Sequence, residues 1–287
     1  MKILVTGSDG FIAKNLIVHL KYQKKDVLEF NRTHSHKKLE EMIDESDFIF
    51  HLAGINRPKF DEEYNNNVNL IEVVINLCIK LNKKIPILFS SSSQASTDSE
   101  YGISKKKSED LLIEYQKKTG NPVLIYRLEN IFGKWCKPNY NSVVATLCHN
   151  TANNIEVSIN DPKTELSLVY IDDVIKSFLN NYENCFGLKN INIEPVYRIK
   201  LNELLNKIIT YNQTSKSLVL EPVGEGLDRA LYSTFLSYLP KSKFSYKLSE
   251  NKDERGKFVE IIKTKKTGQI SFLTAHPGIT RGSHFHH

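Results

Sequence analysis

Apolar positions at the start of the chain form one short unbroken run, Lys2 to Thr6, and then recur with a helical period at Leu16, Ile17 and Leu20 within Ala13 to Tyr22. The same change of period repeats along the first half of the chain. Strands are predicted at Val27 to Phe30, Phe48 to Ala53, Pro86 to Phe89 and Val123 to Arg127, and helices at Lys37 to Ser46, Val68 to Leu81 and Gly102 to Thr119. Strand and helix in alternation with short connections predict parallel crossover units and a doubly wound sheet covered on both faces. Past Arg127 the chain is punctuated by Gly, Pro and Asn. Helices are expected over Ser142 to Thr151, from Asp172 onward and over Leu201 to Tyr211, with a strand at Ile155 to Ile159. Ligands of an open parallel sheet sit beyond the carboxyl ends of its strands, so residues 128–240 are expected to form the substrate walls of a domain spanning 1–242. From about Lys243 the text alternates apolar and polar (GKFVEIIKT, GQISFLTA), as in the opening strands of a separate β module over 243–287.

The first strand runs into TGSDGF, Thr6 to Phe11. Gly7 permits a sharp turn, Gly10 lets the backbone approach pyrophosphate oxygens, and the helix opening near Phe11 turns its N–H groups and positive dipole end toward the anion. Ala13 fills the third small position. A glycine-rich loop alone is a weak signal; its place between a first strand and a first helix makes it a dinucleotide site in a Rossmann-like sheet. Asp9, Phe11 and Ile12 belong to this turn, and Leu52, Ala53 and Gly54 at the end of the third strand are expected to border the same cofactor. The second strand ends in Phe30-Asn31-Arg32, without the carboxylate that binds the ribose of NAD. Arg32 suits a phosphate instead, or is a solvated loop charge, and the site leans to NADPH as the expected cofactor.

Of the 13 tyrosines, only Tyr101 has a lysine four positions on, Lys105. On a helix the two share a face, where an ammonium is expected to lower a phenol pKa of about 10 toward neutrality. Ser92, in the serine run at the end of the preceding strand, would hold a carbonyl oxygen while Tyr101 protonates the alkoxide formed by hydride transfer. Lys105 could also reach the cofactor ribose. These residues predict a carbonyl reductase.

Composition narrows the partners. At 287 residues, 40% hydrophobic, the chain can bury a large core, and its net charge of +6 is spread over helix faces without a basic run, so nucleic acid is not expected. Four cysteines without a CxxC spacing and the lack of a leader-like start suggest reduced thiols in a cytoplasm. No apolar run approaches the roughly 18 residues of a membrane span.

TGSDGF, DFIFHLAG, FSSSS, YGISK and RLENIFG resemble an extended short-chain dehydrogenase/reductase over Met1 to about Tyr238. HLAGINRP, IFGKWCKPNYNSVVATLC, LYSTFLSYLP and HPGITRGSHFHH are more narrowly similar to capsular polysaccharide reductases of the CapF type, which join that domain to a cupin. The resemblance implies NADPH-dependent reduction at carbon 4 of a UDP-linked 4-keto-6-deoxy-N-acetylhexosamine on the route to UDP-N-acetylfucosamine, and it favours a homodimer. It sets Ser92, Tyr101 and Lys105 on the catalytic positions, with Ser91 and Ser93 as neighbouring alternatives for the serine. Asn130 is implied to approach the sugar diphosphate, or to serve as a turn former, with Lys134, Asn139 and Asn141 on the same irregular segment. Asp172 and Asp173 read as helix caps, and His51 as a packing residue beneath the cofactor. In the family the cupin epimerises carbon 3 with a bound metal. Gly278, His284 and His286 match the start of its signature, but no glutamate and later histidine follow to complete the ligand set, so an incomplete cupin without a metal is expected. The alternatives are an NAD-dependent 4-epimerase or 4,6-dehydratase and a non-catalytic dinucleotide sensor; a dehydratase ordinarily carries acidic residues beside the tyrosine, and a sensor commonly loses the tyrosine or lysine.

Overall fold

A computed structural model describes residues 1–280 of the chain. Two compact units are present, one formed by residues 1–142 and 166–199 and the other by 143–165 and 200–287.

The first unit is built on a sheet of six parallel strands. These are β1 (Lys2–Thr6), β2 (Asp26–Phe30), β3 (Phe48–His51), β4 (Ile87–Ser92), β5 (Val123–Leu128) and, after two strands of a smaller sheet, β8 (Leu188–Ile191), in the order β2-β1-β3-β4-β5-β8. The smaller sheet has the order β6-β7-β9, with β6 (Asn130–Phe132), β7 (Glu165–Tyr170) and β9 (Tyr197–Lys200). The crossovers are α1 (Phe11–Tyr22), α2 (His36–Glu45), α3 (Asn65–Lys80) and α4 (Glu100–Thr119). Helix α5 (Val143–Ala152) belongs to the second unit, and α6 (Ile171–Tyr182) returns to the first.

Both faces of the large sheet are apolar because both are covered, as a parallel sheet requires. Leu4, Ile49, Ile87, Phe89, Val123 and Ile125 join Leu39 and Ile43 of α2, Ile71 and Val74 of α3, and Leu112 and Tyr115 of α4 in one buried cluster. On the opposite face Phe50 and Tyr126 meet Phe178 of α6, with ring centres 6.0 and 4.7 Å away, and Phe48 meets Tyr182 at 5.6 Å. Only α2 fills the interval between β2 and β3, which is too short for a further strand.

In the second unit α5 is joined by α7 (Leu201–Ser217) and α8 (Gly226–Ser237). The Asp228 carboxylate accepts hydrogen bonds from Lys207 Nζ and Tyr211 OH, each at 2.7 Å, and the Tyr211 and Tyr232 rings pack edge to face 5.3 Å apart. The C-terminal strands make a mixed sheet. Strand β12 (Gly256–Thr264) pairs in parallel with β10 (Val219–Leu220) and antiparallel with β11 (Glu250–Asp253) and β13 (Gln269–Leu273).

Two expectations of local structure are corrected. Ile155 to Ile159 is not a strand: the Ile155 N–H folds back to the Asn150 carbonyl at 2.8 Å, closing the end of α5, and the nearby strand is β7 instead. Asp172 and Asp173 do not cap α6. Tyr170 holds the N-cap position without a side-chain bond, and the two carboxylates lie in the first turn, where they still face the positive end of the dipole. Among the described residues no helix is long and apolar enough to cross a membrane.

Candidate active site

The turn from β1 into α1 is shaped by contacts that leave no room for a side chain. Gly7 has φ +70°, and a Cβ there would stand 2.7 Å from Ala53 Cα and 2.8 Å from Ala53 N. Gly10 donates its N–H to the Gly7 carbonyl at 2.8 Å and opens α1 with neither a side-chain cap nor an acidic residue in the first turn. An uncapped helix start beside a close backbone approach fits a dinucleotide pyrophosphate. Phe11 and Ile12 are half-buried at this start, and Asp9 is exposed on the rim.

Leu52, Ala53 and Gly54 run alongside the turn, held by Thr6, whose hydroxyl accepts the Ala53 N–H at 3.3 Å and pairs with His51 Nδ1 at 3.1 Å. His51 is buried against Phe89, ring centres 5.9 Å apart, and burial pushes its imidazole down to about 3, so it is neutral. Arg32 is exposed in the turn after β2, where the Asn31 carboxamide oxygen accepts hydrogen bonds from the Thr33 N–H and hydroxyl at 3.0 and 2.7 Å.

Ser92 ends β4, and Tyr101 and Lys105 lie on the first turns of α4. The four serines of the run have different partners, Ser90 donating to the His51 carbonyl at 3.3 Å. Ser91 donates to Glu109 at 2.6 Å and Ser93 to Glu129 at 3.0 Å, whereas Ser92 interacts with the Tyr101 phenol and accepts the Gln94 N–H at 3.2 Å. Lys105 Nζ lies 5.8 Å from the Tyr101 ring centre and 4.8 Å from that of Phe89, and donates to the Ser90 carbonyl at 2.9 Å.

The expected lowering of the phenol is not found. Burial pushes Tyr101 up to about 12, the Ser92 interaction opposes the rise, and the Tyr64 phenol adds to it. Lys105 is itself pushed down to about 8 by burial, with the Glu109 carboxylate acting in the opposite sense. Desolvation exceeds the charge effect at both groups.

The residues expected around the sugar lie on β6 and on the segment that follows it. Asn130 is exposed on β6 and donates to the Ser167 carbonyl at 3.1 Å. Lys134 Nζ stands 3.8 Å from an Asp172 carboxylate oxygen and 5.4 Å from the Trp135 ring centre. Asn139 and Asn141 are exposed on either side of Tyr140, whose hydroxyl donates to the Asn56 carboxamide at 3.0 Å. Tyr64 donates to the Asn56 carbonyl at 3.4 Å, and its ring lies 5.7 Å from that of Tyr101. Asn56 thereby links the irregular segment after β6 to the wall beside the phenol. His284 and His286 lie outside the described residues.

Sequence reasoning missed Asn56, Tyr64, Asn67, Glu109 and Trp135. Glu109 was open to discovery, since Tyr101, Lys105 and Glu109 continue one four-residue ladder along α4. Trp135 has φ +68°, a conformation rare for a bulky residue, and no sequence signal announces it.

A parallel sheet with a glycine turn at its first crossover and a Ser-Tyr-Lys constellation past its fourth strand defines a dinucleotide-dependent oxidoreductase. The NAD dependent epimerase/dehydratase family matches residues 3–193, and the chain belongs to it. The Polysaccharide biosynthesis C-terminal domain matches residues 251–287. The chain is 46% identical to the UDP-2-acetamido-2,6-beta-L-arabino-hexul-4-ose reductase of Pseudomonas aeruginosa, over its whole length and 78% of that protein. The crystal structure of the capsular polysaccharide assembling protein CapF from Staphylococcus aureus superposes with a TM-score of 0.92 at 41% identity, covering all of this chain and 79% of that one. A UDP-glucose 4-epimerase from Thermotoga maritima, 20% identical with a TM-score of 0.69 over 83% of this chain and 98% of its own, shares the fold.

Proposed function

We propose that this chain reduces the 4-keto group of a UDP-linked 4-keto-6-deoxy-N-acetylhexosamine with NADPH, in the making of a capsular polysaccharide precursor. The chain is an oxidoreductase acting on a nucleotide sugar, and the name of its Pseudomonas relative carries a 2-acetamido group, a 6-deoxy carbon and a ketone at carbon 4. The observation that carries the reading is the meeting of Ser92, Tyr101 and Lys105 at one place, where Ser92 and Lys105 are buried and Tyr101 is half-buried.

When bound, the reduced nicotinamide supplies a hydride to the carbonyl carbon. The Ser92 hydroxyl holds the carbonyl oxygen, and the Tyr101 O–H gives that oxygen its proton, leaving an alcohol and a phenolate that solvent reprotonates. A phenol pushed up to about 12 is fully protonated at neutral pH, as a proton donor must be, while an alkoxide is basic enough to take the proton. The Lys105 ammonium beside the ring stabilises the phenolate left behind. Arg32 would pair with the phosphate that distinguishes NADPH, and Asn130, Lys134, Asn139 and Asn141 would line the sugar diphosphate. The reading includes a reductase domain over 1–242, strands of a cupin over 243–287, a homodimer and a cytoplasmic setting.

Turnover of the UDP-4-keto-sugar should consume NADPH mole for mole and form the 4-hydroxyl sugar. Product formed without net consumption of the cofactor would assign an epimerase instead.

A further inference from the structure

Behind Lys105 lies a carboxylate that the proposed chemistry does not use. Glu109 follows Lys105 by four positions on α4, so the two side chains are neighbours on one helical face. Its side chain is only 2% exposed, and its oxygens are held from three directions: Arg127 Nε donates at 2.9 Å, Arg127 NH2 at 2.7 Å and Ser91 Oγ at 2.6 Å. Ser91 precedes Ser92 on β4, and Arg127 is its register partner on β5. The clamp therefore fixes α4 against the two strands that end at the site.

We infer that Glu109 is a positioning residue: clamped by Arg127 and Ser91, its buried carboxylate keeps the Lys105 side chain an ammonium directed at Tyr101. The inference deepens the function proposed above and rests on it. Lys105 is enclosed, and an ammonium in such a place loses its proton unless a charge of opposite sign is near. The groups around it leave Glu109 that part. On α4 itself stand Tyr101 and Glu109. From β3 comes His51, a neutral ring that opposes a second cation. The short helical turn Asp61–Tyr64 brings Tyr64 next to Tyr101, β4 offers the Ser90 carbonyl and the Phe89 ring, and β5 brings Arg127, whose charge is engaged by Glu109. Glu109 is the carboxylate that bears on Lys105, opposing the descent to about 8 that burial imposes.

The test is Glu109→Gln, which keeps the shape and removes the charge. With carbon-labelled lysine, the Lys105 resonance, assigned by its loss in Lys105→Met, should titrate about one pH unit lower than in the wild type, and the alkaline limb of kcat/KM should move down equally. At slightly acid pH the variant should recover most of its activity. The double variant Glu109→Leu/Arg127→Met replaces the pair by apolar groups of similar volume, which buried pairs commonly tolerate, and should shift Lys105 in the same direction but by less, because the Arg127 charge leaves with that of the carboxylate. A Lys105 titration unmoved in a folded variant overturns the inference and leaves Glu109 as a strut between α4 and β5. The resonance reads Lys105 without turnover, so a wild-type protein that consumes no NADPH would sink the proposed function by itself.

Discussion

Asn67 holds both polar groups of the Ile55 backbone: its Oδ1 accepts the Ile55 N–H at 2.6 Å, and its Nδ2 donates to the Ile55 carbonyl at 3.0 Å and to Ser104 Oγ at 3.2 Å. A residue at the start of α3 thus supports the Leu52-Ala53-Gly54 segment from behind and ties it to the neighbour of Lys105. Asn67→Ala should cost about 2–3 kcal/mol in denaturant unfolding, the cost of stranding a buried donor and acceptor. It should also weaken NADPH binding in a fluorescence titration.

Tyr101→Phe removes the proton donor and little else, since the ring that packs against Tyr64 stays. Steady-state kcat should fall roughly 100- to 10,000-fold while the NADPH dissociation constant stays within about twofold. Ser92→Ala should act in the same direction, whereas Ser93→Ala, which loses only a bond to Glu129, should remain close to wild type.

Gly7 and Gly120 separate strain from collision. Both have positive φ, +70° and +73°, but a Cβ at Gly7 runs into the Ala53 backbone and one at Gly120 meets nothing within 4 Å. Gly7→Ala should abolish detectable NADPH binding and lower stability by more than about 1–3 kcal/mol. Gly120→Ala should cost about 1 kcal/mol and leave binding untouched.

His51 predicts an acid limb of stability. Its imidazole is buried neutral at about 3 against an ordinary 6.5, so on acidification the unfolded chain takes up the proton first. Stability is therefore fully present above about 6.5 and is lost toward 3, at about 1.4 kcal/mol per pH unit. Urea midpoints measured between about pH 7 and about pH 5 should fall in the wild type and change less in His51→Gln.

Arg32→Ala tests the phosphate reading. Loss of a charge-assisted contact should raise the KM for NADPH about 10- to 100-fold and leave that for NADH nearly unchanged.

Much of the first unit could be read from the chain because burial on both faces writes strands as unbroken apolar runs, and four helices show a clear buried stripe. Boundaries slipped where the signal was not apolar. α4 begins at Glu100 and α3 at Asn65, in polar residues that carry no periodicity. β6, β8, β9 and β10 are short strands of two to four residues, and α8 follows a stretch of glycines and acids that carries no helical period. The Tyr101-Lys105 pair was legible because helical spacing is local. Its electrostatics were not, because desolvation depends on what Phe89, Tyr64 and the serine strand bring over from distant positions. Asn56 and Asn67 act through backbone contacts that no spacing rule encodes.

Gly102 sits where a Cβ would come within 2.2 Å of the Gln94 carbonyl oxygen and 2.8 Å of the Thr97 carbonyl oxygen. The residue beside the proton donor therefore does no chemistry and yet sets how closely the helix start can dock on the serine loop. Transplanting that loop from another member of the family would succeed only if its inner surface still admitted a bare α-carbon, so the loop and the glycine form a single exchangeable cassette rather than two independent parts.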